Sequence, residues 1–164
     1  MAHTYSQAIW LLIVVTPLCL WVAWSDMATM KITNKLVYIT FAAFVVAGAI
    51  VLPFDAYMWR FLNIVLVLAV GFGLNAAGLV GGGDAKFAAA AAGFIAPADS
   101  GTLLMVFAVT LVGAYATHRI FSKLSFVRSV TPNWQSWQEK RDFPMGLALG
   151  GTLIIYFVVT IYLS

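Results

Sequence analysis

The sequence predicts an all-α fold, a polytopic membrane helix bundle of about six transmembrane helices with its N-terminus outside. Of the 164 residues, 63% are hydrophobic and only 9% are charged, and the mean hydropathy is +0.96. Soluble domains are about half apolar and a quarter charged, so most of this surface is predicted to face lipid. Long apolar runs and a one-sided distribution of basic residues support the same fold. The length predicts a single domain over residues 1–164.

The apolar runs predict the helices in order. A helix that crosses roughly 30 Å of hydrocarbon needs about 20 apolar residues. Five runs approach or reach that length, and they are predicted to form the first, second, third, fifth and sixth spans: Ile9–Trp24, Leu36–Leu52, Phe61–Val80, Thr102–Ile120 and Met145–Leu163.

The run between the third and fifth spans is short. It covers Phe87–Pro97, which as helix would be about 16 Å long. Its alanines would let neighbouring helices approach closely. We predict a short fourth span here, and five spans with a re-entrant segment is the alternative.

The basic residues are strongly asymmetric on the six-span arrangement. Cytoplasmic loops of membrane proteins carry the excess of Lys and Arg. One side has only Arg60, and the other has eight cations: Lys31, Lys35, Lys86, Arg119, Lys123, Arg128, Lys140 and Arg141. We therefore predict a multi-pass protein of the plasma (inner) membrane, in contact with lipid and with these loops in the cytoplasm. The net charge of +3 without a basic block predicts no nucleic-acid partner.

Two of the six acidic residues stand apart from the others. Asp55 and Asp99 fall in short outer loops and are predicted only to be solvated, as is the cluster of Glu139 and Asp142 in the long cytoplasmic loop. Asp26 and Asp84 each follow an apolar run at the same predicted membrane face. Two carboxylates at low dielectric share a proton, which supplies an acid and a base for hydrolysis. The alternative is an interfacial charge at Asp26 and a helix N-cap at Asp84.

The segment GGGDAK places glycines beside the second of these acids. An N-cap does not need three glycines, which cost helix propensity. Glycines without Cβ atoms permit close approach of another chain, so Gly81 and Gly83 could admit a substrate strand. A tight turn between helices is an equally sufficient explanation.

Other catalytic classes have little support in the sequence. His3 falls outside, Cys19 lies within the first span, and His118 stands alone beside Arg119. No HExxH or CxxC pattern is present, so neither a metal nor another cofactor is expected. A serine or cysteine nucleophile would lack a credible histidine partner.

Three motifs together resemble the bacterial type IV prepilin peptidases. GGGDAK fits the GxGD signature, with Gly81, Gly83 and Asp84 in the motif positions. DMATMKITN is similar to the first-aspartate motif of that family, and FPMGLALGG is similar to its Pro-Tyr-Gly-x-Ala segment. The matching positions in these two stretches are Asp26, Lys31, Ile32, Asn34, Pro144, Gly146 and Ala148. Thr33 stands where the family has proline, and Met145 where it has tyrosine.

The resemblance implies an aspartic endopeptidase that removes prepilin leader peptides, with Asp26 and Asp84 as its catalytic pair. It also implies that seven further residues surround this pair or contact substrate: Lys31, Asn34, Gly81, Gly83, Lys86, Pro144 and Gly146. With one cysteine and no room for a methyltransferase insertion, the chain resembles the short, peptidase-only form of Flp (tight-adherence) pilus systems. We therefore expect no N-methylation.

Several alternatives remain open at this point. One is an archaeal preflagellin-type peptidase, and another is a non-enzymatic transporter or assembly subunit. A presenilin-type protease is disfavoured because Ser25, not tyrosine, precedes Asp26. The loop over residues 118–142 is predicted to lie on the membrane through Trp134 and Trp137, and a role in holding the substrate leader is a lesser possibility.

Overall fold

The computed structural model describes residues 2–139 and 142–164, and the secondary structure of these residues is helical, without strands. Seven α-helices follow one another in these ranges, with 3₁₀ turns at Pro97–Asp99 and Gln135–Trp137. The helices are α1 (Tyr5–Thr29), α2 (Asn34–Val51), α3 (Phe54–Ala76), α4 (Gly82–Ala92), α5 (Ser100–Phe121), α6 (Ser125–Val130) and α7 (Met145–Leu163). The predicted polytopic helical bundle is confirmed.

Five of these helical segments are long and apolar enough to cross a membrane: α1, α2, α3, the segment Pro97–Phe121 and α7. The last agrees residue for residue with the predicted sixth span. The third begins at Phe54, earlier than the predicted Phe61, and ends at Ala76. Apolar length therefore located every long span, while the ends of the helices depend on caps and turns.

Helices α1 and α7 form the principal antiparallel pair of the bundle. α1 begins with a capping box in which the Thr4 side chain and the Gln7 side chain satisfy each other's backbone N–H groups. The two helices approach closely at Gly150, where an added Cβ would lie 2.8 Å from the Cys19 carbonyl oxygen. Leu11, Val15 and Cys19 of α1 are almost fully buried, which indicates that this seam is part of the core.

α4 is short and enclosed by α2, α3 and α7. Its 11 residues end at Ala92, before the predicted limit of Pro97. Its N-terminus lies beside the end of α1, where Gly83 meets Ile32. Beyond its C-terminus, Asp99 accepts a hydrogen bond from the backbone N–H of Ala2, ahead of the start of α1. The chain therefore passes from one end of the bundle to the other between residues 84 and 99, partly as helix. α4 is not among the candidate membrane spans of the described residues, so the short fourth span stays a prediction.

The end of the bundle that holds Asp99 corrects one expectation. Asp99 was predicted only to be solvated, but it is 7% exposed, and His3 and Arg60 beside it are 3% and 4% exposed. The Tyr156 hydroxyl donates to Asp99 Oδ2 at 2.8 Å, and His3 Nε2 lies 3.0 Å from the Phe94 carbonyl oxygen. Burial and the charge of Arg60 lower the pKa of His3 to about 4. These residues fasten the N-terminal segment to α7.

Candidate active site

Asp26 lies near the C-terminal end of α1 and is only 4% exposed. The helix ends just beyond it, where Met30 adopts a left-handed conformation (φ 53°) and its N–H donates to the Asp26 carbonyl oxygen. The carboxylate is not solvated as an interfacial charge would be. Its Oδ2 instead accepts a hydrogen bond of 2.7 Å from the backbone N–H of Gly146.

The N-terminus of α7 is built to receive this carboxylate. Pro144, fully buried, precedes the helix, and the first backbone N–H groups of a helix lack partners within it. A carboxylate at this position satisfies one of them and interacts favourably with the helix dipole. Gly146 is required by the close contact, because an added Cβ would lie 2.8 Å from Asp26 Cβ and 3.0 Å from Oδ2.

Asp84 lies in the first turn of α4 rather than at its N-cap, which is Gly81. The Gly81 N–H donates to the Asp84 carboxylate, so the side chain also helps to cap its own helix. An added Cβ at Gly81 would lie 2.5 Å from Asp84 Oδ2. Asp84 is partly buried. Burial first, and the negative charge of Asp26 second, raise the pKa of Asp84 to about 6, while the Gly81 hydrogen bond lowers it.

The loop after α1 holds the start of α4 in place. An added Cβ at Gly83 would lie 2.9 Å from the Ile32 carbonyl oxygen, so this glycine makes room for the chain's own backbone. Lys86 Nζ donates to Asn34 Oδ1 at 3.1 Å, at the start of α2. The Lys31 side chain is exposed, and its carbonyl oxygen accepts a hydrogen bond from Ser25 Oγ at 3.3 Å.

Thr33, the residue in place of proline, also has a local function in this loop. It is the N-cap of α2, and its hydroxyl accepts a hydrogen bond from the Leu36 N–H. Together, the contacts of Gly83, Lys86 and Thr33 fix the ends of α1, α2 and α4 at one end of the bundle. The two aspartates are carried on two of these three ends.

Both aspartates line one cavity of about 820 Å³. Its other described lining residues come from the end of α1, the connection between α3 and α4, the segment before α7 and the first residue of α7: Met30, Gly78, Leu79, Val80, Gly81, Gln135, Gln138, Glu139, Asp142, Phe143 and Met145. Among the described residues, no group of three His, Cys, Asp or Glu side chains is placed to hold a metal ion. The cavity is polar and open at the end of the bundle, and we call it the polar cleft.

Part of the long loop lines the polar cleft, and its placement on the membrane stays a prediction. Trp134 and Trp137 stack on each other at 5.7 Å between ring centroids, and Trp137 stacks on the buried His118 at 5.0 Å. The Trp137 indole N–H also donates to the Thr131 carbonyl oxygen at 3.1 Å. The tryptophans therefore anchor the loop to α5, and this positions Gln135 and Gln138 at the cleft. The predicted residues Lys140 and Arg141 lie outside the described part of the chain.

The fold and the cleft first define a class, a polytopic helical membrane protein with two carboxylates in one cavity at an end of the bundle. A comparison with protein families then identifies the chain: the type IV leader peptidase family matches residues 13–117. The chain belongs to this family, and it is a peptidase. The matched range includes Asp26 and Asp84, whereas Pro144 and Gly146 follow it. Neither a curated protein nor a solved structure matches the chain.

Proposed function

We propose that the protein is an aspartic endopeptidase that removes the leader peptide of Flp-like type IV prepilins at the cytoplasmic face of the inner membrane. Asp26 and Asp84 activate water between them. One observation carries the proposal: two carboxylates far apart in sequence line one cleft, and the charge of one raises the pKa of the other. Coupled carboxylates of this kind are the usual source of an acid and a base in one site.

The chemical step uses the two aspartates in different protonation states. Asp26, whose Oδ2 accepts the Gly146 N–H, is the carboxylate that accepts a proton from water as the water oxygen bonds to the scissile carbonyl carbon. Asp84, with a pKa of about 6, donates its proton to the carbonyl oxygen. The tetrahedral intermediate then collapses, the carbon–nitrogen bond breaks, and a proton passes to the leaving nitrogen.

The described cations support this orientation. Six of them lie at the end of the bundle that carries the cleft: Lys31, Lys35, Lys86, Arg119, Lys123 and Arg128. Arg60 belongs to the other end and is buried beside His3. The positive-inside rule therefore favours a cytoplasmic position for the cleft, at the surface where a prepilin presents its polar leader.

The cleft has the chemistry to receive a polar segment. Gln135 and Gln138 offer side-chain amides, and Glu139 and Asp142 place carboxylates in the lining beside the two aspartates. The other residues that the family resemblance points to, Lys31, Asn34, Lys86, Gly81, Gly83, Pro144 and Gly146, act in this proposal by fixing the positions of the two carboxylates.

The proposal is tested by expressing the protein with an Flp-type prepilin and measuring the size of the pilin on a gel. We expect leader removal by the wild type and none by Asp26→Asn or Asp84→Asn. Asp55→Asn is the matched control, because Asp55 is an exposed acid at the start of α3, and it should process normally. Processing by both dyad variants would exclude the mechanism, and no processing by the wild type would exclude the substrate.

A further inference from the structure

A second cavity lies directly beside the polar cleft and runs into the bundle. Its volume is about 290 Å³, and it is lined almost entirely by apolar side chains. The two cavities share three residues, Val80, Asp84 and Met145. Asp84 is therefore at the junction between a polar space and an apolar one, and we call the second cavity the apolar groove.

The groove exists because two helices do not pack closely on each other. α3 packs on α4, and α5 packs on α7, which leaves a gap between α3 and α5. Val70 and Leu74 line one wall, and Leu104 and Phe107 line the other. From Asp84 to Ala92 the floor extends along α4 for about 12 Å at 1.5 Å per residue.

The floor is made of small side chains. Ala85, Ala88 and Ala92 of α4 line it on successive turns, and Gly71 of α3 adjoins them. Small residues allow a helix in a membrane to come close to its neighbour. An α-helix about 10 Å across does not fit inside 290 Å³, so an occupying helix would lie across the opening with a row of its side chains inserted.

We propose that the apolar groove binds the hydrophobic segment that follows the scissile bond of the substrate, while the polar cleft holds the leader. This inference rests on the proposed function. The family resemblance implies a prepilin substrate with a short polar leader followed by a hydrophobic helix. This change from polar to apolar matches the binding surface, which changes in the same way at Asp84. Continuity with the cleft selects this occupant, because a peptide in the cleft that continues past Asp84 enters the groove.

A third cavity provides a control within the same protein. It measures about 660 Å³, lies on another face of α5 against α7, and is lined by Met105, Val109 and Ile155 among others, with neither aspartate. Leu104 and Met105 are neighbours on α5, and they are 65% and 73% exposed. Leu104 lines the groove and Met105 lines the third cavity, so tryptophan at either position adds a similar bulk at the same depth.

The experiment compares two substrates with purified protein in vesicles. One is the full Flp-type prepilin, and the other is a short peptide with the leader and the first few residues after the scissile bond. Leu104→Trp should lower kcat/KM on the prepilin at least about fivefold and leave cleavage of the peptide unchanged, because only binding of the apolar segment is lost. Met105→Trp should change neither.

A crosslink gives an independent measurement. The native Cys19 is 1% exposed, so cysteines introduced at Leu104 and in the apolar segment of the prepilin should form a disulfide with little background. A cysteine at Met105 should form none.

Each contrary result has a distinct meaning. Equal cleavage of the prepilin by Leu104→Trp and wild type, or a disulfide only at Met105, would overturn the groove inference and leave the peptidase proposal standing. An equal loss on both substrates would also overturn it, since the change would then act on the catalytic pair. Failure of the wild type to cut the prepilin would instead remove the proposed function.

Discussion

The backbone N–H of Gly146 donates to Asp26 Oδ2 at 2.7 Å, across 120 positions of sequence. This contact places the first turn of α7 against the end of α1 and orients the Asp26 carboxylate, which is almost fully buried. The position leaves no room for a side chain, since an added Cβ would lie 2.8 Å from Asp26 Cβ.

Gly146→Ala should therefore displace the Asp26 carboxylate and lower kcat at least about tenfold, which corresponds to about 1.4 kcal/mol of transition-state stabilisation. Gly150→Ala is the control, because Gly150 lies one turn further along α7 and packs against Cys19, about two turns away from Asp26 on α1. It should lower thermal stability and leave the kcat of the folded fraction near wild type. Equal kcat losses in the two variants would mean that general helix packing, and not the orientation of Asp26, is responsible.

Gly83→Ala and Gly82→Ala separate two adjacent glycines of the GGGD segment. At Gly83 a Cβ would lie 2.9 Å from the backbone oxygen of Ile32, whereas at Gly82 the nearest atom is 3.6 Å away in the Asn75 side chain. Gly83→Ala should shift the start of α4 and lower kcat/KM about tenfold or more, and Gly82→Ala should stay within about twofold. Cleavage kinetics of both variants provide the measurement, and a reversed order would contradict the positioning role of Gly83.

The pH dependence follows from Asp84. Its pKa of about 6 lies above the ordinary value of 3.8 because of burial and the charge of Asp26, and Glu139 and Asp142 line the same cleft. As the proposed acid, Asp84 loses its proton as the pH rises through about 6, so kcat/KM should fall on the alkaline side with an apparent pKa near that value. The substrate used for this measurement should contain no histidine, because histidine titrates in the same pH range. A flat profile up to pH 8 would contradict the assignment.

The raised pKa of Asp84 also affects the stability of the folded protein, and the charged form that appears at high pH is the unfavourable one. The folded state holds the Asp84 proton more tightly than the unfolded state, so this residue opposes folding increasingly as the pH rises from about 4 to about 6 and remains unfavourable above that. Asp84→Asn should therefore raise the melting temperature more at pH 8 than at pH 4, by a few degrees. Thermal unfolding in detergent at the two pH values provides the measurement, with Asp55→Asn, at an exposed acid, as the control.

Hydropathy predicted the bundle because lipid requires long apolar helices, and this is why the bounds of α7 agree with the prediction. The short fourth segment was harder to predict from hydropathy, because α4 is short and is stabilised by packing between other helices. The burial of Asp99 and Arg60 was not predicted, for a related reason. Their neighbours in sequence resemble a loop, whereas their burial depends on Tyr156 and His3, which lie far away along the chain.

The candidate site was only partly visible in the sequence. Asp26 and Asp84 could be selected from their position beside apolar runs and from their motifs, but the contact of Asp26 with Gly146 depends on how α1 and α7 pair. Gln135 and Gln138 carried no signal at all. Their place in the cleft results from the stacking of Trp137 on His118, and the tryptophans alone favoured a segment lying on the membrane.

Tyr156→Phe should destabilise the protein without affecting catalysis. The Tyr156 side chain is fully buried, and its hydroxyl donates to Asp99 and accepts from the Ala96 N–H at 3.4 Å. Loss of this hydroxyl leaves buried polar groups less satisfied, at a cost of about 1–3 kcal/mol, and should lower the melting temperature by several degrees. The ten residues of α7 between Gly146 and Tyr156 correspond to about 15 Å, so kcat at low temperature should be retained.

Tyr162→Phe is the control, since Tyr162 is on the same helix and 84% exposed, and it should melt as the wild type does. Equal melting of the two variants would show that the hydroxyl of Tyr156 does not stabilise this end of the bundle. A loss of kcat below the melting transition would show instead that the ends of α7 are coupled, because only a change transmitted along the helix could then reach Asp26.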